Sequence, residues 1–106
     1  MHWFYLTGAG LLEIVWAFFM KRSDGFSRLT ESAITIVAMI GSFGLLSLAM
    51  RTLPLGTAYT IWTGIGAVGA FLVGIAVLGE AVSALRIVAA LLIVAGLVLM
   101  KVASPQ

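Results

Sequence analysis

The sequence predicts an all-α membrane protein with four transmembrane helices per subunit. Three observations predict it. The chain of 106 residues is 62% hydrophobic and only 9% charged, with a mean hydropathy of +1.19. A water-soluble domain of that size has too little interior to hide so much apolar side chain. The apolar residues fall into four stretches, about residues 3–20, 32–50, 55–78 and 85–100, which as helices span roughly 24–36 Å and bracket a hydrocarbon core. Alternation with period two is absent, so a membrane barrel does not fit. Helices bond every backbone polar group within one segment, as lipid requires.

The first stretch opens on Trp3, Phe4 and Tyr5, an aromatic group suited to the membrane–water boundary. Glu13 lies in its middle and is the one ionisable residue deep inside any stretch. A carboxylate at that depth costs about 2.5–3.5 kcal/mol on insertion scales, so it normally faces a partner, a cavity or a pathway. A cleavable signal peptide is not expected, because no basic segment precedes the apolar run and Glu13 interrupts it. Residues 21–31 (KRSDGFSRLTE) form the longest connection and hold most of the charge. The second stretch carries Met39, Ser42, Phe43 and Ser47. Pro54 stands where the third helix begins and reads as a turn or first-turn residue. The third stretch contains GTAYTIWTGIGAVGA, with Tyr59, Trp62 and Thr63 on one face, then Gly64, Gly66 and Gly69. The glycines read either as close helix packing, with Gly66, Ala70 and Gly74 as a small-residue row, or as a bending point. The fourth stretch has no polar residue between Arg86 and Lys101, which read as anchors at its ends, and its small residues suit assembly. Asp24, Glu31 and Glu80 read as solvated loop residues, and residues 102–106 as a frayed tail. The whole chain, 1–106, reads as one four-helix domain.

Composition excludes several classes of chemistry. The net charge is +2 and no basic run is long enough for nucleic acid. Cysteine is absent and His2 stands alone, so no disulfide, thiolate or metal site is expected. No nucleophile–base pair or phosphate loop is present, so neither enzymatic activity nor a cofactor is expected.

One helix face carries Leu6, Ala9, Gly10, Glu13, Trp16, Ala17 and Met20. Gly10 is expected to leave open space one turn before the carboxylate, and Trp16 to place an indole one turn after it. Tyr59 and Trp62 need hydrogen-bond partners in mid-membrane, and a carboxylate on a neighbouring helix would accept from both. Ser42 is a candidate ligand of the same set, although a lone helical serine usually bonds its own backbone. Desolvation disfavours a bare charge at Glu13. The group is comfortable holding a proton or an organic cation and uncomfortable empty, which is the elementary condition for exchange.

Four helices are too few to wall a central chamber from lipid, so an oligomer is expected. Basic side chains divide four (Lys21, Arg22, Arg28, Arg86) against two (Arg51, Lys101) between the two sides. So slight a bias permits insertion both ways. Two copies in opposite orientation would make an inverted repeat, the symmetry many transporters build within one chain. The slight charge bias fits such a dual-topology pairing.

LLEIVWA (11–17), KRSDGFSRL (21–29) and above all LPLGTAYTIWTGIGAVGA (53–70) closely resemble the small multidrug resistance transporters, in their guanidinium-exporter branch. The resemblance covers nearly the whole chain. It implies a multi-pass protein of the bacterial inner membrane, an antiparallel homodimer, and guanidinium or small guanidinyl cations exported against protons. It implies Glu13 as the shared substrate and proton group, with Gly10, Trp16, Ser42, Tyr59 and Trp62 around it. Thr63 is expected on the cavity wall. Met39 and Phe43 are expected to open an apolar side portal, through which substituted guanidines, guanylurea or biguanides would project. Two alternatives stay open: a broad quaternary-ammonium exporter of the same family, and a small channel or non-transporting assembly subunit.

Overall fold

The computed structural model describes residues 2–103. Met1, the side chain of His2 and residues 104–106, the end of the expected frayed tail, lie outside the described residues. Four helices follow one another: α1 (His2–Arg22), α2 (Leu29–Ala49), α3 (Leu55–Ala76) and α4 (Ala84–Ala103). All four are long and apolar enough to cross a membrane.

The helix ends depart from the expected ones for local reasons. Lys21 and Arg22 form the last turn of α1, where cations suit the helix dipole, and the Arg22 guanidinium lies 5.6 Å from the centre of the Phe18 ring. α2 starts early, at Leu29, so Glu31 is not a loop residue: it occupies the first turn, the favourable end for an anion. Pro54 precedes α3 and its carbonyl accepts from the Ala58 N–H at 3.0 Å. α3 stops at Ala76, and Gly79, at φ 68°, turns the chain so that the Glu80 N–H reaches the Gly74 carbonyl at 3.0 Å. Ser83 caps α4 by accepting from the Arg86 N–H at 3.2 Å. α4 then runs past Lys101, whose ammonium sits 5.4 Å from the centre of the Trp3 ring, so Val102 and Ala103 are helical rather than frayed.

α1 packs mainly against α2 and α3, which also touch each other, and α4 packs on α3 alone. The helices thus form a row, α2–α1–α3–α4, within an envelope of 43 × 34 × 16 Å. The row is one helix thick. Its small core contains Leu6, Ala9, Leu46, Ala49, Leu53, Ala58, Ile61 and Trp62. α4 has no buried residue, and large apolar side chains lie exposed on every helix. So thin a layer leaves most of each helix surface uncovered, and lipid or a second layer must cover it.

Glycines set how closely the row packs. A methyl group at Gly64 would meet Leu97 of α4, one at Gly69 would meet Ile14, and one at Gly66 would meet the Glu13 carboxylate. α3 is helical without interruption from Leu55 to Ala76, and these glycines let neighbouring side chains approach it closely. Gly66 abuts α1 while Gly74 abuts Glu80, so the Gly66–Ala70–Gly74 row does not seat one neighbouring helix along its length.

Candidate functional site

Three helices are tied together by one buried hydroxyl. Ser42 Oγ on α2 donates to the Ala9 carbonyl of α1 at 2.6 Å, and Trp62 Nε1 on α3 donates to Ser42 Oγ at 3.1 Å. Ser42 and Ala9 are 0% exposed and Trp62 7%. The hydroxyl has one proton and two lone pairs. The proton is committed to Ala9 and one lone pair to Trp62, so one acceptor position remains. Removing it leaves the buried indole N–H unpaired, a penalty of about 1–3 kcal/mol. Ser42→Ala is expected to lose thermal stability in detergent by that amount and to shift Trp62 fluorescence, and unchanged melting and emission would contradict the tie.

Glu13 follows Ala9 by one turn of α1. Its Oε1 is buried and without a hydrogen-bond partner, and its carboxyl group rests against the backbone of Gly66. One turn further, Trp16 Nε1 is also buried and without a partner. An orphan acceptor and an orphan donor thus stand one turn apart on one helix face. Native interiors seldom leave such groups unpaired without a functional reason. Aromatic rings continue from there across the row. Trp16 meets Phe43 edge-on at 6.2 Å, Phe43 meets Trp62 at 5.8 Å, and Trp62 leans on Tyr59 at 5.6 Å.

The structure corrects two expectations and places the remaining residues. Trp62 donates to Ser42 and not to a carboxylate, because the α2 hydroxyl is the acceptor within reach. The space at Gly10 is not open: a methyl there would fall 2.6–3.1 Å from the Ile65 side chain, so Gly10 lets α3 approach α1. Thr63, expected on a cavity wall, is exposed on α3. It lines a cavity of about 490 Å³ between α3 and α4 with Tyr59, Gly64 and Leu97, because Trp62 takes the inward position beside it. Phe43 is half exposed but braced between two indoles, and Met39 is half-buried on the same helix. The Ala9 carbonyl and Ile65 were not singled out from sequence. Ala9 acts through its backbone, which residue type does not advertise, although its place four residues before Glu13 is a weak signal.

Residues 1–94 match the family described as Small Multidrug Resistance protein. The chain belongs to the small multidrug resistance family. Similar proteins named guanidinium exporter occur in Citrobacter freundii, 57% identical over 104 residues, and in Salmonella typhimurium strain LT2, 58% identical over the same length. Each alignment covers 98% of this chain and 99% of the relative. A protein of that name in Yersinia pseudotuberculosis is 56% identical and matched over its full length. This small multidrug resistance protein is accordingly a multi-pass transporter of the bacterial inner membrane.

Proposed function

We propose that this small multidrug resistance protein exports guanidinium and small guanidinyl cations in exchange for protons. Its four helices act as one transporter domain, paired with a second, inverted copy. The observation that carries the reading is the buried, unpartnered Glu13 oxygen, with the unpartnered Trp16 N–H one helical turn away. A planar guanidinium offers paired N–H donors to a carboxylate. Ser42, its own proton already given to Ala9, has only an acceptor left for a further N–H. The identity of about 57% with proteins named guanidinium exporter supports the same substrate. The one-helix-thick row supports a second copy, since a carboxylate on such a layer needs a facing layer to close a chamber around it. Inverted pairing agrees with the slight charge bias between the loops. Within that chamber Glu13 of each copy holds either protons or the cation. The greasy flank at Met39 and Phe43 would receive substituents of larger guanidines.

A second reading has an observation of its own. The ring series Trp16–Phe43–Trp62–Tyr59 presents aromatic faces and edges across the site, and such faces attract quaternary ammonium ions. Those ions have no N–H to give to Glu13 or Ser42. Currents from proteoliposomes separate the two readings. We expect guanidinium and methylguanidinium to be transported at least about tenfold more effectively than tetraalkylammonium ions, the worth of one charge-assisted hydrogen bond. Equal currents would favour the broad exporter, and movement of bare guanidinium alone would remove the substituted guanidines.

A further inference from the structure

The end of the molecule nearest residues 21–28 holds charged groups that the proposed exchange does not use. Between α1 and α3 lies a cavity of about 360 Å³. Its inner wall is cut from small residues, Ala17, Ala70 and Gly74, and its mouth carries Lys21, Glu80 and Arg86. Lys21 closes α1, Glu80 follows α3 and Arg86 opens α4, so the mouth stands at the headgroup level while the groove descends into the acyl region.

The charges are arranged rather than loose. Arg86 Nη1 donates to the Ala81 carbonyl at 2.6 Å and its guanidinium lies 5.1 Å from the centre of the Phe71 ring, which leaves the other N–H groups in a fixed fork. Glu80 is fixed by its own N–H on the Gly74 carbonyl and by its carboxylate resting on the Gly74 backbone. Among the described residues no ion pair links these side chains to one another. Two cations and one carboxylate at one mouth repel a simple cation and hold a simple anion poorly. A ligand carrying both signs satisfies all three.

We propose that this groove binds a membrane phospholipid with a primary-ammonium headgroup. One acyl chain lies along Ala17, Ala70 and Gly74, the phosphate sits between Lys21 and Arg86, and the ammonium donates to Glu80. Charge-assisted hydrogen bonds to both ends of the headgroup supply the selectivity, and basic pockets at helix ends are known to hold lipid phosphates. Glu13 does not line the groove, although Ala17 and Ala70 lie one helical turn beyond Glu13 and Gly66.

Native mass spectrometry of the full-length protein in detergent tests this directly. The protein is titrated with phosphatidylethanolamine, phosphatidylglycerol and phosphatidylcholine of identical acyl chains, and with glycerophosphoethanolamine. Phosphatidylethanolamine is expected to bind about tenfold more tightly than phosphatidylcholine, whose trimethylated nitrogen cannot donate to Glu80. Glu80→Gln is expected to erase that preference while leaving phosphatidylglycerol bound. Lys21→Gln, which leaves the Arg86–Ala81 contact intact, is expected to weaken both phosphatidylethanolamine and phosphatidylglycerol. The chainless headgroup is expected to bind far more weakly. Equal binding of the three lipids, a preference that survives Glu80→Gln, or headgroup binding as tight as that of the lipid would each overturn the proposal.

Discussion

Glu13→Gln is expected to abolish proton-coupled guanidinium transport while leaving the protein folded. Glutamine keeps the shape of the side chain and its carbonyl oxygen beside Gly66, so the α1–α3 contact has no reason to open. It removes the carboxyl group that, in the proposed exchange, gives up a proton in return for a cation. Taking one partner from a buried ion pair costs about 3–5 kcal/mol, which corresponds to a loss of more than about a hundredfold in binding. Circular dichroism and size-exclusion behaviour should match the parent protein, and pH-driven guanidinium flux in proteoliposomes should fall to the level of empty vesicles. A variant that still passes guanidinium without moving protons would instead indicate a channel. Wild-type exchange would show that another group carries the proton.

Gly66→Ala is expected to cost transport far more than stability. The added methyl would fall on the Glu13 carboxyl group, yet that group ends a flexible side chain, so the carboxylate moves before the helices do. Forcing a side chain off its preferred rotamer costs about 0.5–1.5 kcal/mol. Alanine recovers about 0.5–1 kcal/mol of helix propensity over glycine. The two nearly cancel, so melting in detergent should shift little. The carboxylate, however, leaves its seat on Gly66, and guanidinium flux is expected to drop by about tenfold or more, since catalytic and transport geometries tolerate little misplacement. Near-normal flux together with normal melting would mean that the seat on Gly66 is not the working position of Glu13.

The helices were legible because lipid imposes one requirement on every residue of a span, and a run of apolar residues announces it. Helix ends were less so. Lys21 and Arg22 looked like loop residues, but the dipole at the end of α1 and the Phe18 ring keep them helical. Glu13 was legible for the reverse reason: a charge among apolar neighbours has a cost that needs an explanation. Its surroundings were only partly legible. Trp62 was marked as needing a partner and Ser42 as a candidate ligand, but which partner each takes depends on helix rotation: Trp62 donates to Ser42, and Ser42 donates to the Ala9 carbonyl. Gly10 suggested space because it lacks a side chain, whereas Ile65 from α3 fills that space. A backbone carbonyl such as that of Ala9 carries no signature at all. Glu80 and Arg86 read as a solvated loop acid and an anchor, and only the fold brings them to one groove with Lys21.

The central claim is that Glu13 exchanges one occupant for another, and proton release measures it most directly. Guanidinium is added to the purified, weakly buffered protein, and the pH change is followed alongside binding. We expect acidification that saturates with binding, diminishes once the solution is alkaline enough to have removed the proton beforehand, and is absent in Glu13→Gln. Guanidinium bound at every pH without release of a proton would contradict the account.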